Sequence, residues 1–147
     1  MFKNILVPTD GSPLSRRAIK QAVRFAKEQK ARVTGLYVAP PYKPGVIEDA
    51  PMLNFVSPRQ YEERTRTIAR GHLKTIETAA ASAGVRCETL HALSDFPYDE
   101  IVRTARRRKC DLIYMASHGR RGISRLLLGS QTSKVLALST IPVIVCR

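Results

Sequence analysis

The spacing of apolar residues switches repeatedly along this chain between continuous or two-residue patterns and a 3.6-residue period, and few architectures accommodate such a strict alternation of strand with helix. Phe2 to Val7 reads as a buried strand. Ser12 then caps a helix with Pro13 at its first position, and Leu14, Ala18, Ala22, Phe25 and Ala26 fall on one face. Arg32 to Val38 forms the second strand, and Arg59 to Ala83 a long helix with Tyr61, Thr65, Ile68, Leu73, Ile76 and Ala80 inward and Gly84 to stop it. Arg86 to His91 is the third strand, where Val85, Cys87, Thr89 and His91 alternate with charged neighbours. Pro97 opens a helix with Tyr98, Ile101, Val102 and Ala105 inward, and Asp111 to Ala116 is the fourth strand. Gly129 and Ser130 start a last helix with Val135 and Leu136 inward, before a final strand from Ile141 to Cys146. The expected fold class is therefore α/β, a doubly wound five-stranded parallel sheet with helices on both faces.

At 147 residues the chain suits one domain, 1–147, with a core of its own, and 44% hydrophobic with 25% charged residues argues against disorder. No apolar run approaches the length of a membrane span. Cys87, Cys110 and Cys146 are an odd set without metal-ligand spacing, which points to a reduced, cytoplasmic setting with the thiols acting as small hydrophobes. The formal charge of +13 raises a nucleic-acid reading. Its two visible clusters, Arg16 to Lys30 on the first helix and Arg103 to Lys109 at the end of the third, also read as solvated helix faces.

A doubly wound sheet binds ligands at the carboxyl ends of the strands flanking its switch point. Here those segments are Pro8-Thr9-Asp10-Gly11-Ser12 and Ser117 to Ser130. Gly119, Gly122 and Gly129 permit close approach of backbone to an anion, and the amides of Ser130, Gln131 and Thr132 open a helix start. Arg120, Arg121 and Arg125 supply charge suited to a di- or triphosphate. The same glycines also read as plain turn residues, and Ser130 as an ordinary cap. P-loop and dinucleotide fingerprints are both missing. Residues 39–58 hold five prolines and form a long connection, a candidate lid.

These residues resemble the universal stress protein family, in which a first strand ends in a small residue followed by Asp-Gly-Ser. A later motif in that family sets Gly, two residues, Gly, nine residues, then Gly with Ser or Thr. This chain carries Thr9-Asp10-Gly11-Ser12 and Gly119 followed after nine residues by Gly129-Ser130, with Ala116 at the first glycine's place. The likeness extends from Asn4 at one end to Pro142-Val143-Ile144-Val145 at the other. It implies an adenine-nucleotide alpha-hydrolase-like sheet of strand order 3-2-1-4-5 and a site for ATP or AMP. Asp10 would meet the ribose and adenine side, Thr9 and Val38 would border the base, and Gly119, Gly129, Ser130 and Gln131 would hold phosphates. Pro8, Ser12, Met115, Ala116, His118, Arg120 and Thr132 complete the binding set. It also implies a homodimer paired through the last strand, Pro142 to Cys146.

Magnesium or manganese accompanying the phosphates would find one protein carboxylate, Asp10. His118 has no acidic partner spaced near it in sequence, so loop shaping or phosphate contact suits it better than catalysis, and His72 and His91 carry no assigned role. The expected function is a nucleotide-responsive stress factor, in which the ligand orders the 117–128 loop and the 39–58 connection. Slow ATP hydrolysis or nucleotidyl transfer on the same cradle is one alternative, a polyanion-binding module is a second, and a purely structural partner with an empty pocket, should Ala116 spoil the site, is a third.

Overall fold

A computed structural model of the chain describes residues 1–44, 56–119 and 127–147. In chain order the elements are β1 (Asn4–Thr9), α1 (Pro13–Gln29), β2 (Arg32–Ala39), α2 (Pro58–Ala83), β3 (Cys87–Leu93), α3 (Pro97–Arg107), β4 (Leu112–Ala116), α4 (Ser130–Leu138) and β5 (Val143–Cys146). The sheet runs β3-β2-β1-β4-β5 with every pairing parallel, as the strand alternation and the family likeness led us to expect.

Alternation along the central strands divides the core in two. Ile5, Val7 and Val33 turn to one face, where Ala18, Ile19, Ala22, Val23 and Ala26 of α1 and Leu73, Ile76 and Ala80 of α2 cover them. Leu6, Leu36, Ile113 and Met115 turn to the other, against Ile101, Val102 and Ala105 of α3 and Val135 of α4. Burying apolar side chains on both faces is what holds such a sheet, at roughly 1.5–3 kcal/mol for each fully buried aliphatic chain. The strand starts are tied by polar groups as well. Buried Asn4 donates from Nδ2 to Arg108 O at 3.0 Å, accepts from Thr34 Oγ1 at 2.9 Å, and gives its N–H to Asp111.

Several boundaries and faces differ from the sequence reading. β1 begins at Asn4 and runs on through Pro8 to Thr9, and β3 runs to Leu93. α2 begins one residue earlier, at Pro58, because Ser57 and Gln60 form a reciprocal capping box. Ile68 is 50% exposed, since the inward stripe of α2 passes through Thr65, Ala69, Leu73, Ile76 and Ala80. Leu136 is 41% exposed, because Thr132 and Val135 take the buried face of α4. His91 is exposed on edge strand β3, its ring 6.0 Å from that of Tyr37.

The three cysteines are free thiols, Cys110 and Cys146 buried and Cys87 half-buried, and burial pushes Cys87 and Cys110 up to about 11. Most of the proline-rich connection, 45–55, lies outside the described residues. Its ends are tied down, by Tyr42 Oη donating to Val56 O at 3.0 Å, Tyr61 Oη donating to Pro40 O, and Lys43 paired with Asp95 at 2.7 Å. Among the described residues no helix is long and apolar enough to cross a membrane.

Candidate functional site

The candidate site starts from where two strands stop pairing. β1 stays registered with β2 along its whole length, from Asn4 opposite Arg32 to Thr9 opposite Tyr37. With β4 it pairs only at Ile5–Leu112 and Leu6–Ile113, while β4 continues alongside β5 from Ile113–Val143 to Ala116–Cys146. Beyond Leu6 the two central strands part, and Pro8, which has no N–H to offer, falls where that ladder has already opened. The gap is a cavity of about 170 Å³. Leu36, Val38, Pro97, Ile101 and Met115 give it apolar walls, and Thr9, Asp10, His118, Gln131 and Thr132 supply its polar groups.

Ten of the residues anticipated from sequence surround this cavity together: Pro8, Thr9, Asp10, Val38, Met115, Ala116, His118, Gly119, Gln131 and Thr132. Ser12, Gly129 and Ser130 do not line it. Arg120, Arg121, Gly122 and Arg125 lie outside the described residues. Ser15, Leu36, Pro97 and Ile101 line the cavity without having been anticipated. Leu36 was signalled by strand alternation, two residues before Val38 on the same face. Ser15, one turn into α1, and the α3 pair became visible only through tertiary packing.

On the β1 side the polar groups satisfy one another. Thr9 Oγ1 lies 3.0 Å from Ser15 Oγ and accepts the Gly11 N–H at 3.1 Å. Asp10 Oδ1 accepts the Ser12 N–H at 2.9 Å, Ser12 Oγ accepts the Ser15 N–H at 3.2 Å, and Ser15 Oγ donates to Ser12 O at 2.9 Å. Ser12 thus serves the helix as its cap.

On the β4 side the helix start is left open. The N-cap of α4 is Gly129, at φ −62° and ψ 156°, and it brings no capping side chain. Ser130 is therefore the first helical residue rather than the cap. The N–H groups of Ser130, Gln131 and Thr132 have no intrahelical acceptor, as in the first turn of any α-helix, and none among the described residues accepts from them. Three contacts fix this turn in place. Gly129 N–H donates to Ser117 O at 2.7 Å, Thr132 Oγ1 to Ala116 O at 2.9 Å, and Tyr98 N–H to Gln131 Oε1 at 2.9 Å. The last leaves the Gln131 amide NH₂ as a donor.

A side chain at Gly129 would meet backbone, and one at Gly119 would have to displace the Asp10 carboxylate. A Cβ at Gly129 would lie 2.9 Å from His118 Cα, and one at Gly119 would fall on Asp10 Oδ2. Ala116, at the first motif position, is buried among the α1-side core residues, and its carbonyl takes the Thr132 hydroxyl. His118 Nδ1 sits 3.1 Å from Ser117 Oγ, and among the described residues no carboxylate is paired with it. Among the described residues no three metal-ligating side chains gather.

An apolar slot ending at an uncapped helix start suits a ligand with a flat apolar part and an anionic part. Comparison with known proteins agrees with the sequence motifs. The family model described as "Universal stress protein family" matches residues 1–147. Universal stress protein YxiE of Bacillus subtilis is 35% identical over all of both chains, and MJ0531 of Methanocaldococcus jannaschii is 33% identical over all of this chain and 83% of that one. The solved structure of UspA from Lactobacillus plantarum is 27% identical, covers 99% of this chain and 98% of that one, and superposes with a TM-score of 0.80. With its sheet order, its β1 ending and its Gly129 N–H to Ser117 O contact all in place, the chain belongs to the universal stress protein family.

Proposed function

We propose that this chain, acting as a single domain over 1–147 in the cytoplasm, binds ATP or AMP as a regulatory ligand. The observation that carries this is the uncapped start of α4 at Gly129, set at the rim of the apolar cavity between β1 and β4. The cavity of about 170 Å³ is smaller than the roughly 300–1,000 Å³ typical of whole-ligand sites, so it takes a base-sized group. Leu36, Val38, Ile101 and Met115 would flank that base, with Asp10 beside the ribose and the phosphates over Gly119 and the amides of Ser130, Gln131 and Thr132. Magnesium or manganese would arrive with the phosphates and, among the described residues lining the cavity, meet the carboxylate of Asp10, whose Oδ1 already accepts the Ser12 N–H. Universal stress proteins of the same fold have been solved with cAMP and, for one from Archaeoglobus fulgidus, with dAMP; at 23% and 17% identity they support the fold and leave this chain's ligand to experiment.

Mass spectrometry of nucleotide released from the denatured, freshly purified protein tests the reading. Near-stoichiometric ATP or AMP in the wild type, lost in Gly129→Val, is the expected result. A wild type that stays empty after incubation with ATP and magnesium would refute it.

We infer a homodimer on separate grounds. β5 is an edge strand, and Val143, Ile144 and Val145 are only half-buried there, so its outer backbone groups have a ladder to offer a second copy. Val145→Lys is expected to run as a monomer in light scattering, and a dimer unaffected by it would remove β5 from the seam.

A further inference from the structure

At the end of the sheet away from the crevice, where the strands begin, cations scattered through the sequence come together. A groove of about 540 Å³ lies between the C-terminal ends of α1 and α2 and the starts of β1, β2 and β3. Lys3, Lys27, Lys30, Arg32 and Arg86 line it; its other residues are small or apolar, and none is acidic. The sheet fixes three of the five. Arg32 N–H donates to Lys3 O at 3.0 Å and Val33 N–H to Arg86 O at 2.8 Å, so Lys3, Arg32 and Arg86 stand abreast at the mouths of adjacent strands. Neighbouring strands are roughly 4.8 Å apart.

Some of the cations outside the groove are neutralised locally. Arg24 pairs with Glu28, Arg59 with Glu63, Arg66 with Glu62 and Arg103 with Asp99, each one turn along its own helix. Among the described residues none of the five groove cations makes an ion pair. The negative end of the α1 dipole accounts for Lys27 and Lys30. It does not account for Lys3, Arg32 and Arg86, which project from strand starts. Five like charges around one concavity repel each other and focus a positive field into it, and a bound anion relieves that repulsion.

We propose that this groove binds a chain of phosphates, at a site separate from the crevice. No aromatic side chain lines it, so it offers no surface on which bases could stack, and recognition is of phosphate alone. A nucleic-acid backbone and inorganic polyphosphate share that chemistry.

The test measures fluorescence anisotropy of a labelled mixed-sequence DNA duplex of about 20 base pairs against salt, with inorganic tripolyphosphate as competitor. Two variants of equal net charge are compared. Lys3→Gln/Arg32→Gln/Arg86→Gln empties the groove of its strand-start cations, and Arg64→Gln/Arg70→Gln/Arg106→Gln removes three exposed arginines elsewhere. Unchanged circular dichroism and nucleotide binding confirm that each variant is folded. The groove variant is expected to lose at least tenfold in affinity and to flatten the log–log salt slope by up to about 2.7 units, at about 0.9 per phosphate contact. The reference variant should stay within about twofold of the wild type.

If the groove variant weakens tripolyphosphate but not the duplex, the groove takes free polyphosphate; if it weakens both, it also takes the nucleic-acid backbone. Equal losses in the two variants would reduce the effect to overall net charge and overturn the proposal. So would a wild type that binds neither probe at about 50 mM salt.

Discussion

The starts of α1 and α4 face the same crevice from its two sides, and they are built in opposite ways. At α1 every nearby polar group has a protein partner: Asp10 takes the Ser12 N–H, Ser12 takes the Ser15 N–H, and Thr9 and Ser15 share a hydrogen bond. At α4 the cap is a glycine, and the positive end of the helix dipole faces outward over Gly119 and the cavity. A capping side chain at position 129 would occupy an amide and collide with His118. The difference separates a helix start whose polar groups are spent on the fold from one that, in the function proposed above, meets the ligand.

The largest expected effect is that of Gly129→Val, which forces the 117–119 backbone and the α4 start apart. Nucleotide affinity should fall at least tenfold, about 1.4 kcal/mol or more, in a calorimetric titration. An unchanged affinity would mean that the phosphates lie elsewhere. Ser12→Ala probes the opposite side: loss of the α1 cap should lower unfolding free energy by about 1 kcal/mol in urea denaturation, with nucleotide affinity within about twofold of wild type. Should binding fall as far as it does in Gly129→Val, the division between a structural and a ligand-binding helix start collapses.

The smallest effect is the sharpest test, because its two parts have opposite signs. In Gln131→Glu the carboxylate can still accept the Tyr98 N–H, and its charge complements the α4 dipole by about 0.3–1 kcal/mol. The ligand-free protein should melt slightly higher, while the same charge repels phosphate and weakens nucleotide binding several-fold. Tighter binding in this variant would place the anionic part of the ligand away from α4.

Half of this contrast was legible before the structure. Ser12 ahead of Pro13 announces a capped helix, whereas Gly129-Ser130 announces a helix start but left Ser130 readable as its cap, and the structure gives that place to Gly129. The Ser57-x-x-Gln60 capping box was equally legible by the same rule, although the sequence reading began the helix only at Arg59. Ile68 and Ala69 show where periodicity runs out: adjacent apolar residues on a long helix leave the inward one to be settled by what the sheet presents, here the stripe through Ala69 and Leu73. Pro97 and Ile101 reach the cavity because α3 packs over its mouth, a contact between distant segments that no local pattern carries. The basic groove was hidden for the same reason. Lys3, Arg32 and Arg86 become neighbours only once strand order places β1, β2 and β3 side by side.

The parting of β1 from β4 beyond Leu6 and Ile113 has a mechanical consequence. Up to that point the sheet is one continuous surface; past it, β1 remains bonded to β2 and β4 to β5, so the upper sheet consists of two plates sharing a seam. Spreading or closing the plates would leave the ladder hydrogen bonds in place, and what resists it is side-chain packing, chiefly α1, which lies across Val7 of β1 and Tyr114 and Ala116 of β4. A group wedged into the gap would therefore press on both plates at once, and each plate carries one edge of the sheet, β3 on one and β5 on the other.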